Sequence, residues 1–390
     1  MVWKKALAIM FGLLVLASGV PLIKAESTNV DINVIILVSD NEADCALADY
    51  ISNLTDVVVV KTPWGVYDPN ITADIISHAP DEVIILGGPV AVPEEYVEDL
   101  QNIGITVERW WGENRYETNI AVINNVTLKF NLQLQNKVIL AVGNDTMGIQ
   151  KALELAIQGR AMMVFVNQNT NITRTIKQLK VKVQEFTMIE TPYMNKTMLR
   201  VREQLEEKPE CNCTRVQVNM TAERALEAIN LAEEKIALAK ELAQNTTNPA
   251  VETLLAIAEK QLEDAKEAYG NEKYGSAYGL AIAAKSKTDV IIKLAGEDMR
   301  KQLMDNTKMK LERELVRVEA QIRVMERVGV NVTVAIQIME QVRAAIKNGD
   351  YDLAQELMVK LRNEVKTCYM NGKEMMRENK PAPIGKKGKP

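Results

Sequence analysis

Short apolar runs rich in valine and isoleucine alternate with helix-length stretches through the first half of this 390-residue chain, and nothing else in it restricts the fold as much. Residues 32–38, 57–60 and 82–86 read as strands that are apolar on both faces. Such strands are buried on both sides, and helix-length connections between them give a parallel sheet covered by helices on each face. Helices are predicted over about 42–52 and 71–77, and a third begins at Pro93-Glu94-Glu95, where proline suits the first turn and the carboxylates suit the positive end of the helix dipole. The pattern returns in weaker form: strands at 137–142, 162–166 and about 186–190, with a helix near 151–156. This predicts one clear α/β unit over about 32–125 and a degenerate copy over about 136–206, together a domain spanning 26–206.

The texture changes near residue 208. Residues 207–214, rich in Pro, Cys and Asn, read as a linker. From 215 to 378 Ala, Glu, Lys and Leu recur at helical spacing: Ala225, Ile229, Ala232, Ile236, Ala239 and Ala243 in one seam, Leu311, Leu315, Val318, Ile322 and Met325 in another. Seams of this spacing belong to helical hairpins or coiled coils, and alanine in them lets helix axes approach closely. One internal repeat lies here. The stretch 268–277 matches 345–354, each a Gly/Asn turn followed by Tyr-x-x-Ala (Tyr274 and Ala277, Tyr351 and Ala354). Residues 379–390 read as a basic disordered tail.

The N-terminus bears on compartment. Lys4 and Lys5 precede an uncharged, mostly apolar run, 6–20, and Ala25 offers a cleavage point before Glu26. That run is short for a membrane span, which needs about 20 residues, so 1–25 reads as a secretory signal peptide, with an uncleaved anchor as the alternative. Removing Lys4, Lys5 and Lys24 leaves 44 basic against 52 acidic residues, an acidic mature chain that argues against a nucleic-acid partner. Asn-x-Ser/Thr occurs at Asn53, Asn70, Asn125, Asn144, Asn171, Asn195, Asn212, Asn219, Asn245 and Asn331, ten of the 29 asparagines, which points to a glycosylated surface protein. Cys45 is read as a small buried hydrophobe on a helix face. Cys211, Cys213 and Cys368 leave the disulfide pairing open.

Two blocks in the first unit carry a resemblance. The run Gly87-Gly88-Pro89 closes its third strand, and Arg109-Trp110-Trp111-Gly112-Glu113-Asn114-Arg115-Tyr116-Glu117-Thr118 follows. With Asp44-Cys45-Ala46-Leu47-Ala48 on the first helix, these resemble the cell wall-binding repeat 2 family, clearly over about 32–125 and faintly over 136–206. The resemblance implies a three-layer, Toprim-like α/β fold and non-covalent attachment of an exported protein to an anionic cell-envelope polymer. It makes Asp44, Gly87, Gly88, Arg109, Asn114, Arg115, Tyr116 and Thr118 the polymer-binding candidates. Each also has a plainer reading. Arg115 pairs with Glu113 or Glu117 to order its loop, one of Trp110 and Trp111 enters the core, and the glycines permit a tight strand-to-helix turn.

Catalytic signatures are missing from the sequence. His78 is the sole histidine. No phosphate loop, nucleophile elbow or dinucleotide fingerprint occurs, and the N-terminal half has no Asp-x-Asp pair for metal-dependent Toprim chemistry. No metal or cofactor is expected. The chain reads as an exported cell-surface protein that binds envelope polymer and presents a helical domain. The alternative is a structural surface-layer or filament component whose α/β domain makes protein contacts, and a homo-oligomer would supply repeats that a single chain lacks.

Overall fold

The computed structural model describes residues 32–179, 183–192, 195–206, 212–244, 246, 248–304 and 306–378. The expected signal peptide, the basic tail, Cys211 and Asn245 lie outside the described residues. The first unit runs β1 (Val34–Ser39), α1 (Glu42–Thr55), β2 (Val58–Thr62), α2 (Pro69–Ser77), β3 (Glu82–Leu86), α3 (Glu94–Asn102), β4 (Thr106–Trp110) and α4 (Arg115–Lys129). The second runs β5 (Lys137–Val142), α5 (Thr146–Gly159), β6 (Met162–Val166), α6 (Ile172–Gln178), β7 (Glu185–Glu190), α7 (Asn195–Glu206) and β8 (Asn212–Gln217). Each builds a four-stranded, all-parallel sheet, ordered β2-β1-β3-β4 and β6-β5-β7-β8. Ile35, Ile36, Leu37 and Val38 on β1 and Val83, Ile84, Ile85 and Leu86 on β3 are all fully buried, as continuous apolar strands in a covered sheet require.

The second unit is therefore complete in topology, however eroded its sequence. Its fourth strand takes in residues 212–214 of the expected linker, whose residues 207–211 lie outside the described residues. Asn212-Cys213-Thr214 opens β8, which pairs in parallel with β7. β8 is an edge strand and almost wholly exposed, so burial did not demand an apolar run there. β4, the edge strand of the first sheet, is half-buried over most of its length and likewise lacks a continuous apolar run.

The remaining helices are α8 (Ala222–Ala243), α9 (Pro249–Gly270), α10 (Tyr274–Met304), α11 (Thr307–Arg327), α12 (Thr333–Asn348) and α13 (Tyr351–Glu378). The predicted seams are their inner faces. Ala225, Ile229, Ala232, Ile236 and Ala239 are buried, as are Leu311, Leu315, Val318, Ile322 and Met325. The internal repeat is a structural one. The Lys273 amide donates to the Ala268 carbonyl at 2.9 Å, and 77 positions later the Asp350 amide donates to Ala345 at 3.0 Å. Ala277 and Ala354, the small residues of the two Tyr-x-x-Ala wedges, are both fully buried. The helices thus form two three-helix sets, α8–α10 and α11–α13.

Neither set stands apart from the sheets. From Asn33 onward the described residues cluster as one compact unit. Ala225, Ile229, Ala232 and Tyr278 of the first set share a core with Ala43, Leu47, Met147 and Ile149 of α1 and α5. Leu315, Val318 and Ile322 of the second share a core with Ile75, Ile76, Tyr96 and Leu100 around α2 and α3. Charge reinforces that second contact. Arg317 forks onto Asp99 and reaches Glu98 at 3.2 Å, Arg313 pairs with Glu95, and Lys373 and Arg377 both hold Asp81 at 2.7 Å.

Candidate functional site

Open parallel sheets offer ligands a crevice beyond the strand C-termini, where the strand order reverses. In the first sheet that point lies between β1 and β3, and the loops there carry three of the motif residues. Asp44, in the first turn of α1, is buried and accepts a hydrogen bond from the Ser39 hydroxyl at 3.1 Å. Burial raises its pKa to about 6, against the opposing pull of that hydrogen bond and of the Arg115 charge. Gly87 faces it with φ at 111°, where an added Cβ would lie 3.6 Å from the Asp44 carboxylate. Such a backbone favours glycine. A Cβ on Gly88 would come within 2.8 Å of the Trp111 ring, so this ring lies over the Gly-Gly turn. Trp110 is buried and Trp111 is 48% exposed, the division the alternating strand predicts.

Arg109, on β4, faces inward. Its guanidinium donates to the Gly87 carbonyl at 2.9 Å and the Val92 carbonyl at 3.0 Å, and pairs with Glu94 at 3.1 Å. It braces the turn that follows β3. Asn114 caps α4, its side chain accepting from the Tyr116 and Glu117 amides, which fits the preference of Asn for that position. The buried Thr118 hydroxyl accepts from the Gly112 amide at 3.0 Å.

Arg115 does not order its own loop through Glu113 or Glu117. The Glu117 carboxylate instead accepts from the Glu113 amide at 3.1 Å. Arg115 reaches across to the second unit and donates to the Gly143 carbonyl, at the end of β5, at 2.7 Å. Tyr116 lies over the same glycine, where a Cβ would approach its ring to 2.7 Å. One turn further on, the fully buried Asn119 completes the joint. Its amide donates to the Met163 carbonyl at 2.9 Å and accepts from the Phe165 amide at 3.0 Å, on the outer edge of β6. The motif block is thus the splice between the two α/β units. Asn119 is absent from the candidate set. Its signal was an asparagine inside a helix, where this residue rarely sits without a specific partner.

The second unit has its own version of the switch point. Asp145 is buried and accepts from the Thr191 hydroxyl at 2.5 Å. Thr191 follows β7 where Gly87 follows β3, so a threonine hydroxyl stands in place of the missing Gly-Gly pair. Above the first crevice lie residues from the helices. Lys235 on α8 pairs with Asp40, and Lys285 on α10 pairs with Glu42 at 3.0 Å and with Asp289 at 3.3 Å. Both lysine side chains are more than nine-tenths buried. The helices therefore cap the loop between β1 and α1.

No family model matches the chain, the repeat family its motifs resemble included. It is 28% identical over 303 residues to an uncharacterized protein of Methanocaldococcus jannaschii, MJ0755, with 75% of this chain and 82% of that one aligned. Among solved structures it is similar to Cwp6 from Clostridium difficile, with a TM-score of 0.38 and 16% identity over 48% of this chain. Similarity to Cwp8 from the same organism has a TM-score of 0.39 and 19% identity, again over 48% of this chain. This chain spans 30% and 31% of those two structures.

The sequon asparagines are mostly on the surface. Asn53, Asn70, Asn144, Asn171, Asn212, Asn219 and Asn331 are exposed, and Asn125 is half-buried. Asn195 opens α7. Cys45, Cys213 and Cys368 are free. Cys45 is half-buried, its thiol directed at the Ser39 carbonyl, and burial pushes its pKa up to about 12. Among the described residues there is no cluster of three or more His, Cys, Asp or Glu side chains suited to a metal, and no helix long and apolar enough to cross a membrane.

Proposed function

We propose that this is an exported, glycosylated cell-surface protein that acts as a structural scaffold, its paired α/β units and helical sets forming one body that contacts other proteins of the envelope. The observation that carries this reading is the direction of the motif guanidiniums. Arg109 is taken up by the Gly87 and Val92 carbonyls and by Glu94, and Arg115 by Gly143, so the block that would grip a polyanion holds the chain to itself. The charged leader, the apolar run before Ala25 and the exposed sequons support the surface location. We read the protein as a binding and assembly component rather than an enzyme.

Attachment to an anionic envelope polymer is the second reading. It is favoured by one feature: Arg115 is only half-buried and shares the crevice region with the exposed Trp111. Arg115→Ala separates the two. Under the scaffold reading it lowers the melting temperature and leaves binding to purified envelope polymer, per folded molecule, unchanged. A fall in polymer affinity of tenfold or more, with unchanged stability, would favour attachment. Fold-changes of that size are what loss of a charge-assisted hydrogen bond, about 1.5–3 kcal/mol, produces.

A further inference from the structure

The duplication of the α/β unit exposes a difference between its copies. In the first unit the face made by α2 and α3 carries five carboxylates (Asp74, Glu94, Glu95, Glu98 and Asp99) and no cation. Helix α11 covers it, with Arg313 on Glu95, Arg317 on Glu98 and Asp99, and an apolar seam beneath. The equivalent face of the second unit, α6 and α7, has the opposite sign. It carries Arg174, Lys177, Lys196, Arg200 and Arg202 against Glu203 and Glu206. Arg174, Lys177, Lys196 and Arg200 are exposed, as is Leu199 at 49%. Among the described residues, Arg174, Lys177 and Arg200 have no carboxylate within ion-pair distance.

The same chain displays a surface of the opposite sign elsewhere. Helices α8 and α9 hold nine exposed carboxylates against three exposed lysines. Glu227, Glu234 and Glu241 follow one another at seven-residue spacing, which places them in one stripe along α8, and none has an ion-pair partner among the described residues. Leu226, 42% exposed, stands beside that stripe. A helix presenting charges complementary to an α/β face is already how α11 covers the first unit.

We propose that the α6–α7 face of one molecule receives the acidic α8 stripe of a second copy of this chain. The two surfaces differ, so the contact is head-to-tail and does not close on itself in a pair; repeated, it builds an open chain or lattice. Because α6 and α7 are short, at 7 and 12 residues, the contact is small and association is weak in dilute solution. Asn171 and Asn195, the sequon asparagines at the two helix starts, border the face at one end, and Lys177 and Arg200 lie further along it. This inference rests on the scaffold reading and specifies its partner.

The test is sedimentation of the full mature chain at its highest soluble concentration, in low and high salt. Wild type should form species larger than a dimer that dissolve as salt rises, since the Debye length falls from about 30 Å at 0.01 M to about 3 Å at 1 M. Arg174→Glu/Lys177→Glu/Arg200→Glu should abolish those species, and so should Glu227→Lys/Glu234→Lys/Glu241→Lys. Mixing the two reversed variants should restore assembly, because each then meets a complementary face, and a misfolded variant could not be rescued in this way. A wild type that stays monomeric in low salt, or reversed variants that fail to complement one another, would overturn the proposal. So would binding of purified anionic envelope polymer to the α6–α7 face of a monomer. Failure here leaves the proposed surface location untouched, since that is read from the N-terminal leader and the exposed sequons.

Discussion

Replacing Asn119 by alanine should open the seam between the two α/β units. The Asn119 amide stands where a fifth strand would, giving the Met163 carbonyl a donor at 2.9 Å and the Phe165 amide an acceptor at 3.0 Å on the otherwise unpaired edge of β6. The side chain is fully buried, so water cannot replace it without the packing giving way. Two buried backbone groups left without partners cost about 1–3 kcal/mol each, so Asn119→Ala should lose roughly 2–6 kcal/mol. That is a large share of the typical 5–15 kcal/mol of a folded protein. Urea unfolding gives the total, and hydrogen exchange at the Phe165 amide locates it, since that N–H should lose its protection first. Asn119→Asp is the finer probe: it keeps an acceptor for Phe165 but cannot donate to Met163 when ionised, so it should be less destabilising near pH 3 than at pH 8. A loss below about 1 kcal/mol in the alanine variant, with Phe165 as protected as in wild type, would refute the account of the joint, because buried unpaired groups cannot cost so little.

Asp44→Asn should show a pH signature of opposite kind. Burial places the folded-state pKa at about 6, above the ordinary 3.8 of an aspartate, so the favourable contribution of Asp44 is present below pH 4 and lost as pH rises through 6. A rise from 3.8 to about 6 corresponds to about 3 kcal/mol, so the asparagine variant should melt higher than wild type at pH 8 and equally near pH 4; a gap independent of pH would contradict this. Cleavage between 207 and 211 should leave the two pieces associated, because β8 and both helical sets are integral to the α/β units; separation on a sizing column without denaturant would refute the shared core. Arg317→Met should destabilise the chain markedly, since it strips the buried Asp99 of its guanidinium; burial already raises the Asp99 pKa, and the loss should be relieved in acid, where the carboxyl is neutral. An equal loss at pH 4 and pH 8 would count against it.

Much of this architecture was legible in the chain because burial dictates it. Ile35–Val38 and Val83–Leu86 had to be apolar on both faces, and the seam from Ala225 to Ala239 had to repeat at helical spacing, so each announced itself. What escaped was what water solvates. β4 and β8 lie at sheet edges and are written largely in polar residues, so neither carries the continuous apolar run that marks a buried strand. The internal cover was equally hidden. Lys235 and Lys285 look like any helix-surface lysines until the fold brings Asp40 and Glu42 to them. The motif residues were found, but their type did not reveal their direction: a guanidinium that suits a phosphate suits a backbone carbonyl as well, and only the placement of Gly87 and Gly143 decides between them.

The claim that this is an exported surface component is tested most directly by mass spectrometry of the chain recovered from washed envelopes of its native host. The account predicts a mature terminus at Glu26 and glycan on several of the exposed sequons, with Asn219 and Asn331, each just ahead of a helix, among them. A chain found only in the soluble cell interior, beginning at Met1 with every sequon asparagine bare, would contradict it.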